Sequence, residues 1–284
     1  MADLHNQVFF PAALPELFSA WNRFPNAVPF AGGAELLRNQ GKHIFKLPQN
    51  ILSLERLGEL HRITRTERYL EIGAMVKLSE IIRLGKTVPE VLTQSLSNIA
   101  NPPVRNLITI GGNICNPVRR QDTAAPLIAL DARYELRTAY ETRWVSASRF
   151  SALPGPPALQ PQELLTRIRI PLEEWQYSLY KKFAGQCPAN VPSVDESGGG
   201  VVFMARIQKD ILTDLRIVFA GQQVLRDKNS ESTLAGKQLP LDRREAGHFL
   251  ELWKTFLSGA PIPGFMLRSK LFNFVESCIL NLSD

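Results

Sequence analysis

Two double-glycine segments, each at the end of an apolar run, constrain this chain more than any other feature. The first is VPFAGGAE at residues 28–35 and the second is RNLITIGGNICN at residues 105–116. Glycine has no Cβ, so a glycine pair lets the backbone turn sharply and point unshielded N–H groups at an anion. We expect two apolar strands, each delivering a double-glycine turn, to hold one diphosphate from both sides. This pattern favours a nucleotide cofactor.

Two common phosphate-binding loops do not match these glycines. Neither segment has the G-x-G-x-x-G spacing of a dinucleotide fold or the lysine of a Walker loop. Asn113 and Asp122 strengthen the ligand interpretation, because short polar side chains can hydrogen-bond a ribityl or ribose hydroxyl beside a diphosphate. Either glycine pair taken alone is more often an ordinary turn, and that alternative stays open.

The chain has the size and composition of a globular protein with two domains. Its 284 residues exceed one typical domain of roughly 100 to 200 residues. The content of 44% apolar and 21% charged residues is enough to bury a full core. No run approaches the roughly 18 apolar residues of a membrane helix, and the N-terminus lacks the regions of a signal peptide. We therefore expect a cytoplasmic protein with no membrane segment.

Charge and cysteine placement argue against two further kinds of site. The formal net charge is +6, but the basic residues are scattered among acidic neighbours, whereas nucleic-acid binders concentrate them on one stripe. The excess favours an acidic partner protein or an anionic cofactor. Cys115, Cys187 and Cys278 form no C-x-x-C pair, and the four histidines share no ligand spacing. We expect no nucleic acid, no metal site and no iron–sulfur cluster on this chain.

Apolar periodicity and turn residues predict an α+β chain. The first 60 residues alternate short helices and strands as a βαβ-like unit, and a second block continues to the strand before Pro171. Predicted helices cover residues 15–24, 35–39, 78–84, 89–100 and 123–130, and predicted strands cover residues 28–31, 44–47, 69–73, 133–139, 142–146 and 164–170. The proline-rich stretch at residues 153–162 is predicted to be a surface loop.

The character of the sequence changes after Pro171. Strands near residues 178–184, 201–207 and 212–219 predict an antiparallel meander. Two amphipathic helices follow, and their apolar stripes are Phe249, Trp253 and Phe256, then Leu267, Leu271, Phe274, Cys278 and Leu282. Residues 172–284 are therefore predicted to form a separate α+β domain.

Several longer motifs, in a fixed order, carry a resemblance to a known family. They are AGGAELL at residues 31–37, LEIGA at 70–74, PPVRNLITIGGNICN at 102–116, DTAAPLIALDA at 122–132, LLTRIRIP at 164–171 and YKK at 180–182. With them the chain resembles the FAD-binding subunit of the molybdenum hydroxylases, the group that contains xanthine dehydrogenase, carbon monoxide dehydrogenase and aldehyde oxidases. The resemblance spans nearly the whole sequence.

The resemblance implies an α+β fold with two parts. Residues 1–171 would form a two-subdomain FAD-binding fold of the vanillyl-alcohol-oxidase (PCMH) type, with subdomains of about residues 1–57 and 58–171 and FAD between them. Residues 172–284 would form the C-terminal α+β domain, with an antiparallel sheet and helices.

The resemblance also implies a set of FAD contacts. By position they are Pro29, Phe30, Ala31, Gly32, Gly33, Ala34, Glu35, Ile99, Ala100, Thr109, Ile110, Gly111, Gly112, Asn113, Asn116, Asp122, Leu165 and Lys182. Residues 29–35 and 109–113 would supply amides to the diphosphate, and Ile110 would approach the flavin.

The remaining contacts would divide between polar and apolar roles. Asn116 and Asp122 would hold the sugar or ribityl part, while an apolar group would line the adenine or ring pockets: Ile99, Ala100 and Leu165. Lys182 would sit at the isoalloxazine edge, where a cation stabilises the anionic reduced flavin. A solvated surface lysine is the alternative for Lys182.

The implied function is electron transfer in a heteromeric complex. No residue resembles a nucleophile or an acid–base dyad, so the chemistry would belong to the cofactor. A separate two-cluster iron–sulfur (2Fe–2S) subunit would pass electrons from a molybdenum-cofactor subunit to this FAD, and NAD or another acceptor would receive them. The molybdenum subunit would choose the substrate.

Two alternatives stay open. One is a stand-alone flavin reductase of the same fold, similar to the cell-wall enolpyruvyl-glucosamine reductases, although no proton donor is evident. The other is a flavin-free scaffold subunit, which two departures from the family pattern make conceivable. Ala34 stands where the family often has threonine or histidine, and Gln186 stands where it has arginine. One lost neutral hydrogen bond weakens binding by only about 0.5–1.5 kcal/mol.

Overall fold

A computed structural model describes residues 7–35, 47–116, 122–152, 158–183, 198–262 and 264–283. Within these ranges three sheets follow one another along the chain, and helices pack against each of them. Mixed helices and antiparallel sheets confirm the predicted α+β class. Among the described residues, no helix is both long and apolar enough to cross a bilayer.

The first sheet is small and parallel. Strands β1 (Gln7–Phe9), β2 (Val28–Phe30) and β3 (Asn50–Ser53) pair in the order β1-β3-β2. Helix α1 (Leu14–Arg23) packs on it through apolar residues at helical spacing, namely Leu14, Leu17, Phe18 and Trp21. The predicted βαβ-like unit is thus present. The strand predicted at residues 44–47 falls outside the described residues except for Leu47, and β3 lies later in the chain.

The second sheet is antiparallel and five-stranded. Strands β4 (Ile63–Arg65), β5 (Tyr69–Gly73), β6 (Arg133–Arg137), β7 (Thr142–Ser146) and β8 (Leu164–Pro171) pair in the order β4-β5-β8-β6-β7. Alternating side chains such as Leu70, Ile72, Ile168 and Ile170 fill its core because successive strand residues face opposite sides. The predicted hairpin of residues 133–139 with 142–146 is confirmed.

Short helices cover the core face of this sheet. Their bounds are α2 (Leu78–Arg83), α3 (Glu90–Ser97), α4 (Pro102–Arg105), α5 (Ile110–Ile114), α6 (Ala124–Ala129) and α7 (Ala147–Phe150). Buried residues of α3 and α6, including Val91, Leu92 and Leu127, belong to the same apolar cluster as the sheet. Single-turn 3-10 helices occupy Gly58–His61 and Gly85–Thr87.

The third sheet contains the predicted antiparallel meander. Strands β9 (Tyr177–Phe183), β10 (Gly199–Gln208), β11 (Ile211–Ala220), β12 (Val224–Leu225) and β13 (Lys237–Gln238) include the ordered path β12-β11-β10-β9, which leaves β9 at an edge. Helices α8 (Lys228–Leu234), α9 (Arg243–Gly259) and α10 (Phe265–Leu280) cover one face. Trp253 and Leu271 lie in that core, as their apolar stripes predict.

The opposite face of the third sheet joins the core of the second. Tyr180, Val202, Met204 and Val218 are buried in the same cluster as Leu70 and Ile168. Residues near the predicted boundaries also cross them, since Met75 and Leu164 pack in the core around α1. The division at residues 57/58 and 171/172 stays a prediction.

The second double-glycine segment departs from the expected strand and turn. Gly111 and Gly112 lie in α5, and Thr109 makes only an isolated bridge to Lys77. Thr109 has extended dihedrals and its hydroxyl accepts a hydrogen bond from the Gly112 amide, which is the geometry of an N-cap. The capping threonine therefore overrides the strand preference of the β-branched run. Predicted helix 35–39 and loop residues 153–157 lie outside the described residues, except for Glu35.

Candidate functional site

A cavity of about 940 Å³ opens between the first and second sheets. Its volume lies at the upper end of the roughly 300–1,000 Å³ of ligand pockets. Both double-glycine segments line it, together with apolar residues of β3, β8 and the segment after β5. The site is therefore large, mostly apolar and bounded by two separate parts of the chain.

The two double-glycine segments converge at this cavity. A Cβ built on Gly32 would lie 1.6 Å from the Leu107 carbonyl oxygen, so the two backbones are in direct contact there. A Cβ built on Gly112 would lie 3.9 Å from the Ala31 Cβ. The segments thus meet from opposite sides, as the sequence analysis expected.

The first segment is an open loop that only glycine fits. Gly33 has a φ of +67°, in the left-handed region that L side chains rarely adopt. Within the described part of the chain, no acceptor is bonded to the amides of residues 31–34. This loop therefore offers the cavity a row of backbone N–H groups that the fold leaves available.

The amides of the second segment are already used within the fold. The Ile110 amide donates to the Val76 carbonyl at 2.9 Å, and the Gly111 amide donates to the Ala74 carbonyl at 2.9 Å. The Gly112 amide donates to the Thr109 hydroxyl at 3.1 Å. The Asn113 amide donates to the Thr109 carbonyl at 3.0 Å. These amides therefore have partners within the fold, and the expected supply of amides from residues 109–113 to a diphosphate stays a prediction.

Ile110 also differs from its expected position. Its side chain is fully buried in the core under the second sheet, and it does not line the cavity. All the other residues implied to contact FAD line the cavity, and their contacts with FAD stay predictions.

Asn113 brings a side-chain amide to the cavity wall. It is buried, and its Oδ1 accepts a hydrogen bond of 2.5 Å from the Thr123 hydroxyl at the start of α6. Because the carbonyl side of the amide is occupied, its Nδ2 group is the part that can donate to a ligand. Asn116 is also buried on the same wall.

Lys182 and Asp122 form an ion pair at the cavity, where the sequence analysis had given them separate roles. Lys182 Nζ lies 2.7 Å from Asp122 Oδ2. The hydroxyl of Tyr180 is buried close to Asp122 and Ser95. Burial, and then the charge of Asp122, raise the pKa of the Tyr180 phenol well above its ordinary value. This corner of the cavity therefore concentrates charge next to a protonated phenol.

Glu163 is a cavity residue that sequence reasoning missed. Its fully buried carboxylate receives hydrogen bonds of 2.6 and 2.7 Å from Arg143 and of 2.9 Å from the Gln160 amide. Burial raises the pKa of the Glu163 carboxyl, but these donors outweigh it and hold the pKa below its ordinary value. No local motif marks this residue, because Arg143 lies 20 positions earlier.

Cys115 lines the same wall without acting as a reactive thiol. Burial, and then the charge of Glu163, raise the pKa of the Cys115 thiol to about 12. The thiolate is the nucleophilic form, so this raised pKa disfavours nucleophilic chemistry at Cys115 near neutral pH. Within the described residues, no group of three or more His, Cys, Asp or Glu could hold a metal. The lack of a metal on this chain stays a prediction.

Comparison with known proteins identifies the class of this fold and site. Residues 4–173, more than half of the chain, match the family described as the FAD binding domain in molybdopterin dehydrogenase. The chain therefore belongs to this family of flavin-binding domains.

Individual relatives are oxidoreductase subunits. The xanthine dehydrogenase FAD-binding subunit of Escherichia coli O157:H7 is 28% identical over 229 residues, which cover 78% of this chain and 76% of the relative. The carbon monoxide dehydrogenase medium chain of Afipia carboxidovorans is 34% identical over 150 residues, which cover 52% and 51%. The predicted class, an FAD-dependent oxidoreductase subunit of the molybdenum hydroxylase type, is confirmed.

Solved structures share the fold across its full length. Quinoline 2-oxidoreductase from Pseudomonas putida 86 matches with a TM-score of 0.80 and 22% identity, covering 98% of this chain and 96% of that one. Carbon monoxide dehydrogenase from Hydrogenophaga pseudoflava matches with a TM-score of 0.76 and 22% identity, covering 98% and 97%. At this identity the likeness extends to the fold alone.

Proposed function

We propose that this chain is the electron-transfer subunit of a molybdenum hydroxylase, and that it binds FAD in the cavity between the first and second sheets. It would take electrons from a separate iron–sulfur subunit and pass them to NAD or another acceptor. One observation carries the proposal: a side-chain-free loop with available amides faces an apolar cavity of about 940 Å³ in a member of an FAD-binding family.

The residues on the cavity wall fit FAD. The diphosphate is an anion that needs N–H donors in close approach, and the amides of residues 31–34 meet that need because Gly32 and Gly33 keep the loop free of side chains. The adenine and flavin rings need apolar walls, which Ile99 and Leu165 supply. Ala34 lines this cavity with a methyl group where the family often supplies a donor, so the backbone has the larger share of the diphosphate contacts.

Polar side chains on the opposite wall complete the site. Asn113 would donate its Nδ2 to the diphosphate or a sugar hydroxyl, and Asn116 and Asp122 would bind ribityl or ribose hydroxyls. Lys182 would provide positive charge beside the flavin ring. When bound, FAD supplies hydride and single-electron transfer chemistry. The chain itself positions the ring system, excludes water through the apolar walls and sets the local charge.

The partners follow from the chemistry that this chain lacks. Its three cysteines are dispersed, so iron–sulfur clusters and the molybdenum cofactor would reside on two other subunits of a heteromeric complex. The comparison supports this arrangement, since relatives are called medium chains or FAD-binding subunits. A cytoplasmic location belongs to the same proposal.

A visible absorption spectrum of the purified chain tests the cofactor. We expect flavin bands after reconstitution with FAD, and loss of these bands in Gly112→Val, because a branched side chain would displace Thr109 and Ala31 at the junction. Gly247→Ala, at a helix position with open space around it, is the matched control and should retain FAD. A colourless wild-type chain that cannot be reconstituted would favour the scaffold alternative.

Co-purification tests the complex. The full chain, expressed with its natural neighbours in the cell, should retain a red-brown iron–sulfur protein. A yellow chain that binds FAD but elutes alone would contradict the hydroxylase assignment and favour the stand-alone reductase.

A further inference from the structure

Neighbouring residues of α3 hold both members of the Lys182–Asp122 ion pair. Gln94 contacts β9, which carries Lys182, and Ser95 contacts Asp122. These contacts join three segments that are far apart in sequence. They explain why a flexible lysine at the end of an edge strand has a defined position beside the cavity.

Gln94 takes the place of a neighbouring strand at the free edge of β9. Its Nε2 donates to the Ser178 carbonyl at 3.2 Å, and its Oε1 accepts from the Tyr180 amide at 2.8 Å. A carboxamide has the same donor and acceptor as a peptide group, so it satisfies two edge groups that a strand would otherwise bond. Glu90 Oε1 lies 3.1 Å from the same Nε2 and steadies the side chain.

This contact sets the position of Lys182. Residues i and i+2 of a strand share a face, so Tyr180 and Lys182 point to the same side of β9. The backbone of Tyr180 is the part that Gln94 fixes, and Lys182 follows two residues later with its Nζ on Asp122.

Ser95 fixes the other member of the pair. Its hydroxyl donates to the Asp122 carbonyl at 2.9 Å, and its side chain is fully buried. Asp122 lies shortly before α6, so this bond anchors its backbone against α3. A lysine side chain loses conformational entropy when it is held in one position, and an acceptor whose backbone is already fixed favours that single position.

We propose that Gln94 and Ser95 are positioning residues for the Lys182–Asp122 ion pair, and that α3 thereby determines where the lysine cation stands in the cavity wall. The link to the flavin rests on the proposed function, whereas the positioning of the pair does not. The two parts therefore need separate measurements.

Amine labelling of the flavin-free chain tests the positioning. The rate of Lys182 acetylation relative to exposed Lys181 should rise about threefold or more in Gln94→Leu and Ser95→Ala, since a lysine released from its partner reacts as a solvated amine. Asp122→Asn gives the rate of a lysine without its partner. Ser97→Ala, which removes an exposed hydroxyl of the same helix, should leave the ratio unchanged. An unchanged ratio in both α3 variants would overturn the proposal.

Flavin properties test the consequence. In FAD-loaded protein, Lys182→Met should shift the visible spectrum and midpoint potential, and Gln94→Leu should shift both in the same direction while weakening FAD binding by about three- to tenfold. The double variant should equal Lys182→Met alone, because Gln94 acts through Lys182. Gln94→Glu keeps the acceptor for the Tyr180 amide and should fall between wild type and Gln94→Leu.

The outcomes separate the two claims. If Lys182→Met changes neither the spectrum nor the potential, the proposed flavin contact of Lys182 fails even when labelling supports the positioning. If Lys182→Met changes them and Gln94→Leu adds an independent shift, or lowers only the melting temperature, the positioning role is overturned. If Gln94→Leu does not fold, Ser95→Ala, which removes only a hydroxyl, is the variant for the labelling test.

Discussion

The two double-glycine segments are similar in sequence but differ in backbone conformation and in the hydrogen bonding of their amides. Residues 31–34 line the cavity, Gly33 has a positive φ, and the backbone amides of this segment have no protein partners among the described residues. In residues 109–113 the glycines lie in a capped helix whose amides are bonded. The first pair therefore combines a close backbone contact at Gly32 with amides that the fold leaves unbonded, whereas the second pair is closely packed in a helix whose amides are bonded. Substitutions should distinguish these two environments.

The largest effect is expected where the two segments touch. Gly32→Ala places a Cβ 1.6 Å from the Leu107 carbonyl, and backbone atoms cannot yield as a side chain would. Such overpacking costs about 3 kcal/mol or more, so we expect loss of FAD retention together with a lower melting temperature. Gly247→Ala, by contrast, should be neutral or stabilising by up to about 1 kcal/mol. Full FAD occupancy in Gly32→Ala would show that the junction is not as close as described.

Gly111→Ala should destabilise the fold by about 1–3 kcal/mol. The new Cβ would lie 2.7 Å from the Ala74 Cβ and 2.8 Å from its carbonyl oxygen, so α5 must move away from the segment after β5. Denaturant unfolding of the flavin-free chain measures this change. If the stability is unchanged and only FAD affinity falls, the packing role of the second segment is wrong.

Gly33→Ala should weaken FAD binding more than it destabilises the fold, which is the reverse of the expectation for Gly111→Ala. Alanine in the left-handed region costs about 1–2 kcal/mol, and the new Cβ would meet the Phe30 ring at 2.7 Å, which a flexible side chain can relieve. We expect the loop to relax into another shape and so avoid most of this strain without disturbing the core. FAD affinity should therefore fall about tenfold, while the free energy of unfolding of the flavin-free chain should fall less than in Gly111→Ala. A fluorescence titration with FAD measures the affinity. If Gly33→Ala and Gly111→Ala lose the same FAD affinity and the same stability, the two segments do not have different roles.

The smallest effect is expected at the helix cap. Thr109→Val removes the hydroxyl that accepts from the Gly112 amide and should cost about 1 kcal/mol of stability. Thr109→Ser retains the acceptor and should stay close to wild type in thermal unfolding. Identical losses in the two variants would mean that the methyl group, and not the cap, stabilises α5.

Local patterns account for most of the fold. Alternation predicts the β6–β7 hairpin, and apolar stripes predict α1, α9 and α10, because each of these elements buries one face. The β-branched run before Gly111 predicts a strand, but Thr109 caps a helix there. The carbonyls of Ala74 and Val76, which lie elsewhere in the chain, accept hydrogen bonds from the amides at the start of that helix. Contacts with residues distant in sequence therefore favoured the helix over the strand in this segment.

The sequence motifs indicated residues that line the cavity, but not the charged pairs on its wall. Nearly every contact that the resemblance implies lines one cavity, yet the resemblance could not reveal that Lys182 pairs with Asp122, 60 positions away. Glu163 and Gln94 were missed for the same reason, because their partners lie on other elements. Side-chain pairing across elements depends on the folded geometry, and no local spacing encodes it.

The core that the second and third sheets share has a consequence for dissecting the chain. The family match ends at residue 173, yet Val202, Met204 and Val218 fill the interior of the preceding unit. A fragment truncated after Pro171 would hydrate that interior, at roughly 1.5–3 kcal/mol for each large aliphatic side chain, and would discard Lys182. The autonomously folding flavoprotein is therefore longer than the recognisable motif, and a minimal flavin-binding fragment must extend through β11.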